Sequence, residues 1–219
     1  MQMADPPGRT PQRSNARSNR ARILAAAREE LRDNPDASLD SIAQAAGVLR
    51  RTLYAHFPGR RELVAALTQE AGQALERAFT AARTPGADPL EAMARMALAG
   101  WVVADEYRML ISLGRRHLGE EVMRATLAPA REEVASILQR GQGEGVFADH
   151  LPAPVLALGL EALMLTLAEE NASDTWANPT GEPAATALLI AAGVAPHLAA
   201  LRVQALRHES AVRPCPPAA

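Results

Sequence analysis

The sequence predicts an all-α fold: an amino-terminal three-helix helix-turn-helix domain and a larger carboxy-terminal helical domain, with about nine helices in total. The first observation is composition, because 48% of the 219 residues are hydrophobic, only 3% are aromatic, and the abundant alanine and leucine are strong helix formers. The second is periodicity, since apolar residues recur every three or four positions through most of the chain. The third is the placement of proline and glycine between these segments, with no strand-like alternation inside them.

The chain divides into four parts by these criteria. Residues 1–15 are polar and contain proline, which predicts a disordered basic lead. Residues 16–67 form the predicted helix-turn-helix domain, whose fourth helix continues to about residue 82. Residues 88–208 form the second helical domain, and residues 209–219 form a predicted disordered tail. The single cysteine, Cys215, lies in that tail, which excludes an intramolecular disulfide.

The first helix is predicted over roughly residues 17–33, because Asn34-Pro35 disfavours helical geometry beyond it. Two short helices are then predicted on either side of Gly47. The first has an apolar face of Leu39, Ile42, Ala43 and Ala46. Ser38 can cap that helix, and Pro58-Gly59 ends the second. Two short helices joined by a glycine turn make a helix-turn-helix, whose second helix fits the DNA major groove.

The remaining elements follow from the same signals. A long fourth helix is predicted over residues 60–82, and Thr84-Pro85-Gly86 marks the domain boundary. The later helices are predicted at residues 88–104, 105–113, 120–141 (interrupted or kinked near Pro129), 152–170 and 183–207.

Charge is unevenly distributed along the chain. Residues 1–61 contain 11 Arg and 6 acidic residues, a net charge of +5, whereas residues 62–219 contain 12 Arg and 19 acidic residues, a net charge of −7. All 23 basic side chains other than histidine are arginine. A basic end on an acidic body favours binding of a polyanion through that end. The sequence shows neither a bilayer-spanning apolar run nor a signal-peptide pattern, so we expect a cytoplasmic protein.

A long signature covers the helix-turn-helix. It reads Leu39-x-x-Ile42-Ala43-x-x-Ala46-Gly47-Val48-x-x-x-Thr52-Leu53-Tyr54-x-His56-Phe57, followed by Arg60 and Leu63. From roughly residue 17 to residue 67 the chain resembles the DNA-binding domain of tetracycline-repressor (TetR) family regulators. The resemblance implies a homodimer that binds double-stranded operator DNA at palindromic half-sites, with a fourth helix joining the DNA-reading head to a ligand-sensing body.

Ten residues are predicted to contact DNA. They are Arg17, Arg20, Ser38, Leu49, Arg50, Arg51, Thr52, Tyr54, His56 and Arg60. Arg50 and Arg51 begin the recognition helix, where an arginine can bridge the two major-groove acceptors of guanine. Thr52 suits a thymine methyl or a phosphate; Tyr54 and His56 suit phosphates.

Alternatives remain open at several of these positions. Arg17 and Arg20 belong to a basic arm that reaches phosphates or the minor groove, or to a solvated tail. Arg50 and Arg51 could be solvated surface arginines, and His56 could pack on the next helix. Leu49 contacts a thymine methyl or covers the helix start.

Methionine and aromatic side chains concentrate in the second domain and predict an effector pocket. The predicted lining is Met93, Met96, Trp101, Tyr107, Leu110, Phe147 and Met164. Such residues line adaptable apolar cavities, which favours a hydrophobic or aromatic effector of unknown identity. The alternative for each is ordinary core packing.

The last two predicted helices are the expected dimer surface. The predicted interface residues are Val155, Leu158, Gly159, Leu165, Leu188 and Leu198, with Leu201 adding apolar area. Paired with their symmetry mates, two such helices form an isologous four-helix interface. The alternative is that both helices are internal core.

No catalytic residue, metal site or cofactor is predicted. The five histidines have no metal-ligand spacing, and the glycine-rich stretch 141–145 lacks the Lys and Ser/Thr of a phosphate loop. The predicted function is a ligand-responsive repressor that leaves its operator when a small hydrophobic molecule binds. The alternatives are a DNA-binding activator or architectural factor without ligand response, and a helical small-molecule carrier with a vestigial head.

Overall fold

A computed structural model describes residues 11–171 and 176–212, with side chains described for residues 15–171 and 176–209. The described residues form ten α-helices and no strand, which confirms the predicted fold class. In chain order they are α1 (Pro11–Asp33), α2 (Leu39–Ala45), α3 (Arg50–His56), α4 (Arg60–Ala82), α5 (Pro89–Glu106), α6 (Met109–His117), α7 (Glu120–Gly143), α8 (Ala153–Glu170), α9 (Glu182–Ala191) and α10 (Pro196–Val212).

The head consists of α1–α3 and the first turns of α4. Its core is built from one apolar face of each helix, and the fully buried side chains are Ile23, Leu31, Ile42, Leu53, Leu63 and Leu67. Tyr107 and Leu113, from the end of α5 and from α6, join the same cluster. The head therefore packs against the body through apolar side chains, and a flexible linker does not separate the two.

Helix α4 belongs to both parts of the molecule. Its amino-terminal half packs in the head core, whereas Phe79 near its carboxy-terminal end packs in the body core. Helix α5 is central in the body and contacts α4, α7, α8, α9 and α10. A displacement of α4 would therefore change the packing of both the head core and the body core.

Several element boundaries differ from those predicted. Helix α1 begins at Pro11 rather than near Arg17, because proline fits the first turn of a helix; residues 11–15 are thus helical, and residues 1–10 lie outside the described part. Helix α6 begins at Met109 because α5 continues to Glu106. Helix α7 is continuous through Pro129, so the predicted interruption is absent; a kink there stays a prediction.

The last predicted helix, at residues 183–207, is two helices. Gly193 has φ of 98° and lies between α9 and α10, and Pro196 begins the second helix. A positive φ stops a helix, and the proline at the start of α10 has no N–H to continue one. This break accounts for ten helices rather than about nine. Helix α10 continues to Val212, and residues 213–219 of the predicted tail are not among the described residues. None of the described helices combines the length and apolar character needed to cross a membrane.

Candidate DNA-binding surface and effector cavity

Three residues determine the geometry of the helix-turn-helix: a serine that caps α2, a glycine at the turn and one buried leucine on α3. Ser38 caps α2, because its hydroxyl accepts a hydrogen bond from the Ser41 N–H at 3.0 Å. Gly47 turns the chain with φ of 61°, in the left-handed region where glycine has no steric cost. On α3, Leu53 is fully buried. The side of α3 opposite Leu53 therefore faces outward.

That outward side carries the predicted base-reading residues. Leu49, Arg50, Arg51 and Tyr54 are exposed, and Thr52 and His56 are half-buried. The Arg50 side chain is 73% exposed and pairs with Asp40 of α2, with 2.9 Å between Nη2 and Oδ2. The guanidinium of Arg51 has no hydrogen bond or ion pair within the described residues. The exposed Arg50–Asp40 pair contributes little to stability, and Arg51 has no such pair to lose. Both guanidinium groups can therefore reorient toward a ligand.

Arg22 holds the turn between the two helices, a role that sequence analysis missed. From α1 its Nη2 donates to the carbonyl oxygens of Ala46 at 2.7 Å and Gly47 at 3.1 Å. These carbonyls lie just beyond the end of α2, where backbone acceptors lack helical partners. Arg22 thereby fixes the entry of α3 relative to α1.

Other predicted DNA contacts also have intramolecular partners. The Arg60 guanidinium donates to the carbonyl oxygens of Pro35 and Ala37 (2.6 Å to the latter), and so ties the start of α4 to the loop before α2. Arg20 lies over the Phe57 ring, with 5.5 Å from Cζ to the ring centroid. Arg17 is exposed. Arg20 and Arg60 help to shape the head whether or not they also reach phosphates.

A cavity of about 150 Å³ lies in the body between α4, α5, α6, α7, α8 and α9. Five of the seven predicted lining residues surround it: Met93, Met96, Tyr107, Leu110 and Met164. Sequence analysis missed the contributions of α4 and α7, which include Thr68, Leu75, Phe79, Met123, Leu127 and Val134. The helical periodicity of α4 could have indicated them, because Thr68, Ala71, Gly72, Leu75 and Phe79 share one face.

Trp101 and Phe147 do not line the cavity, contrary to the prediction. Trp101 is buried elsewhere: its Nε1 donates to the Asn178 carbonyl at 3.1 Å and its ring meets Trp176 edge-on at 5.6 Å. Phe147 packs on Gly141, where an added Cβ would lie 2.2 Å from the phenyl ring. Both rings fill the ordinary core of the body: Trp101 packs against the segment that precedes α9, and Phe147 packs against α7.

Five polar side chains are among the residues that line the cavity: Thr68, Tyr107, Thr126, Arg131 and Glu161. Arg131 of α7 pairs with Glu161 of α8, with Nη1 2.9 and 2.8 Å from the two carboxylate oxygens. Burial raises the pKa of Glu161, and the neighbouring Arg131 opposes that rise. The Thr126 hydroxyl donates to the Val122 carbonyl at 2.9 Å.

Comparison with known proteins identifies the head. The family model for bacterial regulatory proteins of the tetR family matches residues 23–67. This segment belongs to the TetR family. The resemblance predicted from the sequence is thus confirmed for these residues.

Three relatives extend the comparison. An uncharacterized HTH-type transcriptional regulator, TtgW of Pseudomonas putida, is 41% identical over 69 residues, a match that spans 31% of this chain and 52% of that protein. This chain therefore matches about half the length of that curated relative. A tetR-family regulator from Rhodococcus RHA1 has a TM-score of 0.68 at 19% identity, covering 81% of this chain and 98% of that one. LfrR from Mycobacterium smegmatis, in complex with proflavine, has a TM-score of 0.62 at 23% identity, covering 79% and 96%.

The TetR-type head and the cavity meet at Tyr107. Its hydroxyl donates to Glu70 of α4 at 3.0 Å and accepts from Arg28 of α1 at 3.0 Å. Arg28 also pairs with Glu70 at 3.2 Å and with Glu106 at 3.0 Å. Burial raises the pKa of the Tyr107 phenol, which therefore stays a neutral donor. One side chain thus lines the cavity and bonds to two helices of the head.

The predicted dimer surface is only partly available. Val155, Leu158 and Leu198 are exposed, and Gly159 faces open space. Leu188 is buried in the body core and lines the cavity, so it cannot meet a partner. Leu165 is half-buried and also lines the cavity. The exposed apolar set on α8, α9 and α10 is Val155, Leu158, Ile190, Leu198 and Leu201, and α9 packs against both other helices.

Proposed function

We propose that this chain is a transcriptional repressor that binds operator DNA as a homodimer and releases it when a small apolar molecule occupies the body cavity. The observation that supports the proposal is the exposed start of α3, which carries Arg50 and Arg51. The backbone just before α3 is held in place by the hydrogen bond from Arg22 to the Ala46 carbonyl. The proposal includes a cytoplasmic location, because the repressor must reach its operator.

Two copies are needed because one recognition helix contacts only a few base pairs. Dimers of this kind read half-sites about 34–36 Å apart on one face of the duplex. The exposed apolar side chains of α8, α9 and α10 provide a surface for the second copy, since contiguous exposed apolar area marks an interaction site.

Ligand response requires that the bound molecule favour one arrangement of the heads over another. Helix α4 runs from the head core to the cavity, and Tyr107 connects the cavity wall to α1 and α4. A ligand that displaces Tyr107 or α4 therefore changes the spacing of the two recognition helices. The proflavine complex of the structurally similar LfrR supports an aromatic effector.

Fluorescence anisotropy with duplex DNA from upstream of the chain's own gene tests the DNA-binding part. We expect Arg50→Ala combined with Arg51→Ala to abolish the preference for that DNA over a scrambled duplex, because each bidentate pair with guanine contributes roughly 1–3 kcal/mol of discrimination. Arg77→Ala, an exposed arginine on α4, is the matched control and should retain the preference.

The same assay with candidate aromatic ligands distinguishes the alternatives. Sequence-specific binding that ligands never change would indicate an activator or architectural factor. Ligand binding without DNA binding would indicate a carrier. If the double variant binds every duplex as the parent does, α3 is not the reading surface.

A further inference from the structure

We propose that the body cavity takes a neutral, ring-sized apolar molecule carrying one hydroxyl group, and that Thr68 is the residue that bonds that hydroxyl. This inference concerns the class of ligand that the cavity binds. The effect of that ligand on DNA binding rests on the proposed function, whereas the binding of the ligand to the cavity does not.

The size and the lining of the cavity determine which apolar group the ligand can carry. The cavity measures about 150 Å³, close to the engineered apolar cavity of roughly 150 Å³ that binds benzene. Methionine side chains from α5, α7 and α8 surround it, and methionine adapts to irregular shapes. A single ring with a short substituent matches this space.

Thr68 supplies the polar requirement. Its side chain lines the cavity, the residue is only 3% exposed, and its hydroxyl has no hydrogen-bond partner among the described residues. A buried hydroxyl without a partner is costly, because it has lost its bonds to water and gained none. A ligand that supplies this missing bond is favoured over an isosteric hydrocarbon.

The other four polar side chains of the cavity wall are already engaged. Thr126 bonds to the Val122 carbonyl, and Tyr107 bonds to Arg28 and Glu70. Arg131 and Glu161 bond to each other. Of these five side chains in the described cavity wall, Thr68 is therefore the one whose buried polar atom has no hydrogen-bond partner.

Charge balance disfavours an ionic ligand. Arg131 and Glu161 carry opposite charges and are paired, so a carboxylate or an ammonium ion in the cavity would have to break the contact of Arg131 Nη1 with the carboxylate to find a partner. Leaving one member of this half-buried pair without its partner is unfavourable. A neutral hydroxyl avoids that cost.

The position of Thr68 gives the bond a consequence for α4. Thr68 follows Leu67, which is fully buried in the head core, and it begins the row of cavity-facing residues on α4. A ligand hydroxyl bonded there contacts α4 at the point where the helix passes from head to body.

Isothermal titration calorimetry of the full chain with phenol, toluene, benzoate and benzylamine at pH 7 tests the assignment. We expect phenol to bind tightest of the four. Thr68→Val should weaken phenol about tenfold, the loss of one hydrogen bond, and leave toluene unchanged. Thr126→Val is the matched control, because that hydroxyl lines the same cavity but already has a partner; it should leave the phenol-to-toluene ratio unchanged.

Thermal unfolding gives a second readout without ligand. Removing an unpartnered buried hydroxyl should raise the melting temperature of Thr68→Val, whereas Thr126→Val should not raise it. Tighter binding of benzoate or benzylamine than of phenol, equal weakening of phenol and toluene by Thr68→Val, or no binding of any probe would overturn the assignment.

DNA anisotropy on the same samples separates the two proposals. Specific DNA binding with no probe binding would remove the ligand assignment and leave the DNA-binding function. Phenol binding that depends on Thr68, in a protein that binds no DNA, would remove the DNA-binding function and leave the ligand assignment.

Discussion

The head and the body use their polar side chains in different ways. In the head, Arg22 and Arg60 bond to backbone carbonyls and Ser38 caps a helix, so these side chains stabilise one backbone shape. In the body, the Thr68 hydroxyl has no partner among the described residues, and Thr68 is one of the residues that line a methionine-rich cavity. The difference indicates that the head is built to present one fixed surface, and the body to adjust to what enters it.

Leu198→Arg should produce the largest effect. A charge in the exposed apolar face of α10 prevents pairing of two bodies, and loss of the second head should weaken operator binding by about 100-fold or more. Sedimentation velocity and anisotropy measure both changes. Val102→Arg, at a more exposed apolar position on α5, is the control; an unchanged dimer in Leu198→Arg would contradict the proposed interface.

Leu53→Ala and Met164→Ala compare the two cores directly. Leu53 is fully buried in the head, and its truncation should lower the free energy of unfolding by about 2–5 kcal/mol. Met164 is half-buried and already borders the cavity, so fewer contacts are lost and the decrease should be smaller. Urea denaturation measures both; an equal decrease would show that the body is packed as tightly as the head.

Gly47→Ala should be more harmful than Gly86→Ala. Both residues have positive φ, 61° and 77°, and an L-residue there costs roughly 1–2 kcal/mol. At Gly47 the new Cβ would also lie 2.9 Å from Nη2 of Arg22, whereas Gly86 has open space. We expect Gly47→Ala to lose an additional hydrogen bond of about 1 kcal/mol.

Chemical denaturation gives the stability difference, and operator anisotropy gives its consequence. Only Gly47→Ala should lose DNA affinity. If Gly86→Ala were equally destabilising, Arg22 would not be bracing the turn.

Tyr107→Phe tests the connection between the two parts. The change removes one hydroxyl bonded to Arg28 and Glu70, with an expected loss of about 1 kcal/mol in the free energy of unfolding. Operator affinity without ligand should change little, whereas the ratio of affinities with and without phenol should move toward one. An unchanged ratio would place the coupling elsewhere.

His117 gives the smallest expected effect, at the junction of head and body. Desolvation lowers its pKa, as do the charges of Arg60 and Arg116. Because the folded-state pKa lies below the ordinary value, the unfolded chain binds the proton first, and stability falls as pH drops through that ordinary value. His117→Gln should flatten this part of the stability profile; thermal melts between pH 7.5 and about 5.5 would show it, and parallel profiles would contradict it.

Local patterns predicted the head well and the body less well. The Ser38 cap, the turn at Gly47 and the buried Leu53 are encoded within a few residues, so the sequence indicates them directly. Arg22 bonds to carbonyls 24 and 25 residues away, which no local pattern reveals. In the body, periodicity shows that Trp101 and Leu188 are apolar positions on helices but not which neighbour each faces. The break at Gly193 was signalled by glycine and proline and was outweighed by the alanine- and leucine-rich sequence on both sides.

The absence of lysine from the sequence means that no side chain on the surface of the head carries a primary amine. The contacts that Arg22 and Arg60 make with backbone carbonyls, and the exposed start of α3, are built from guanidinium groups alone. Amine-directed dyes and surface-coupling reagents, which consume lysine in most proteins, would leave that whole surface chemically untouched.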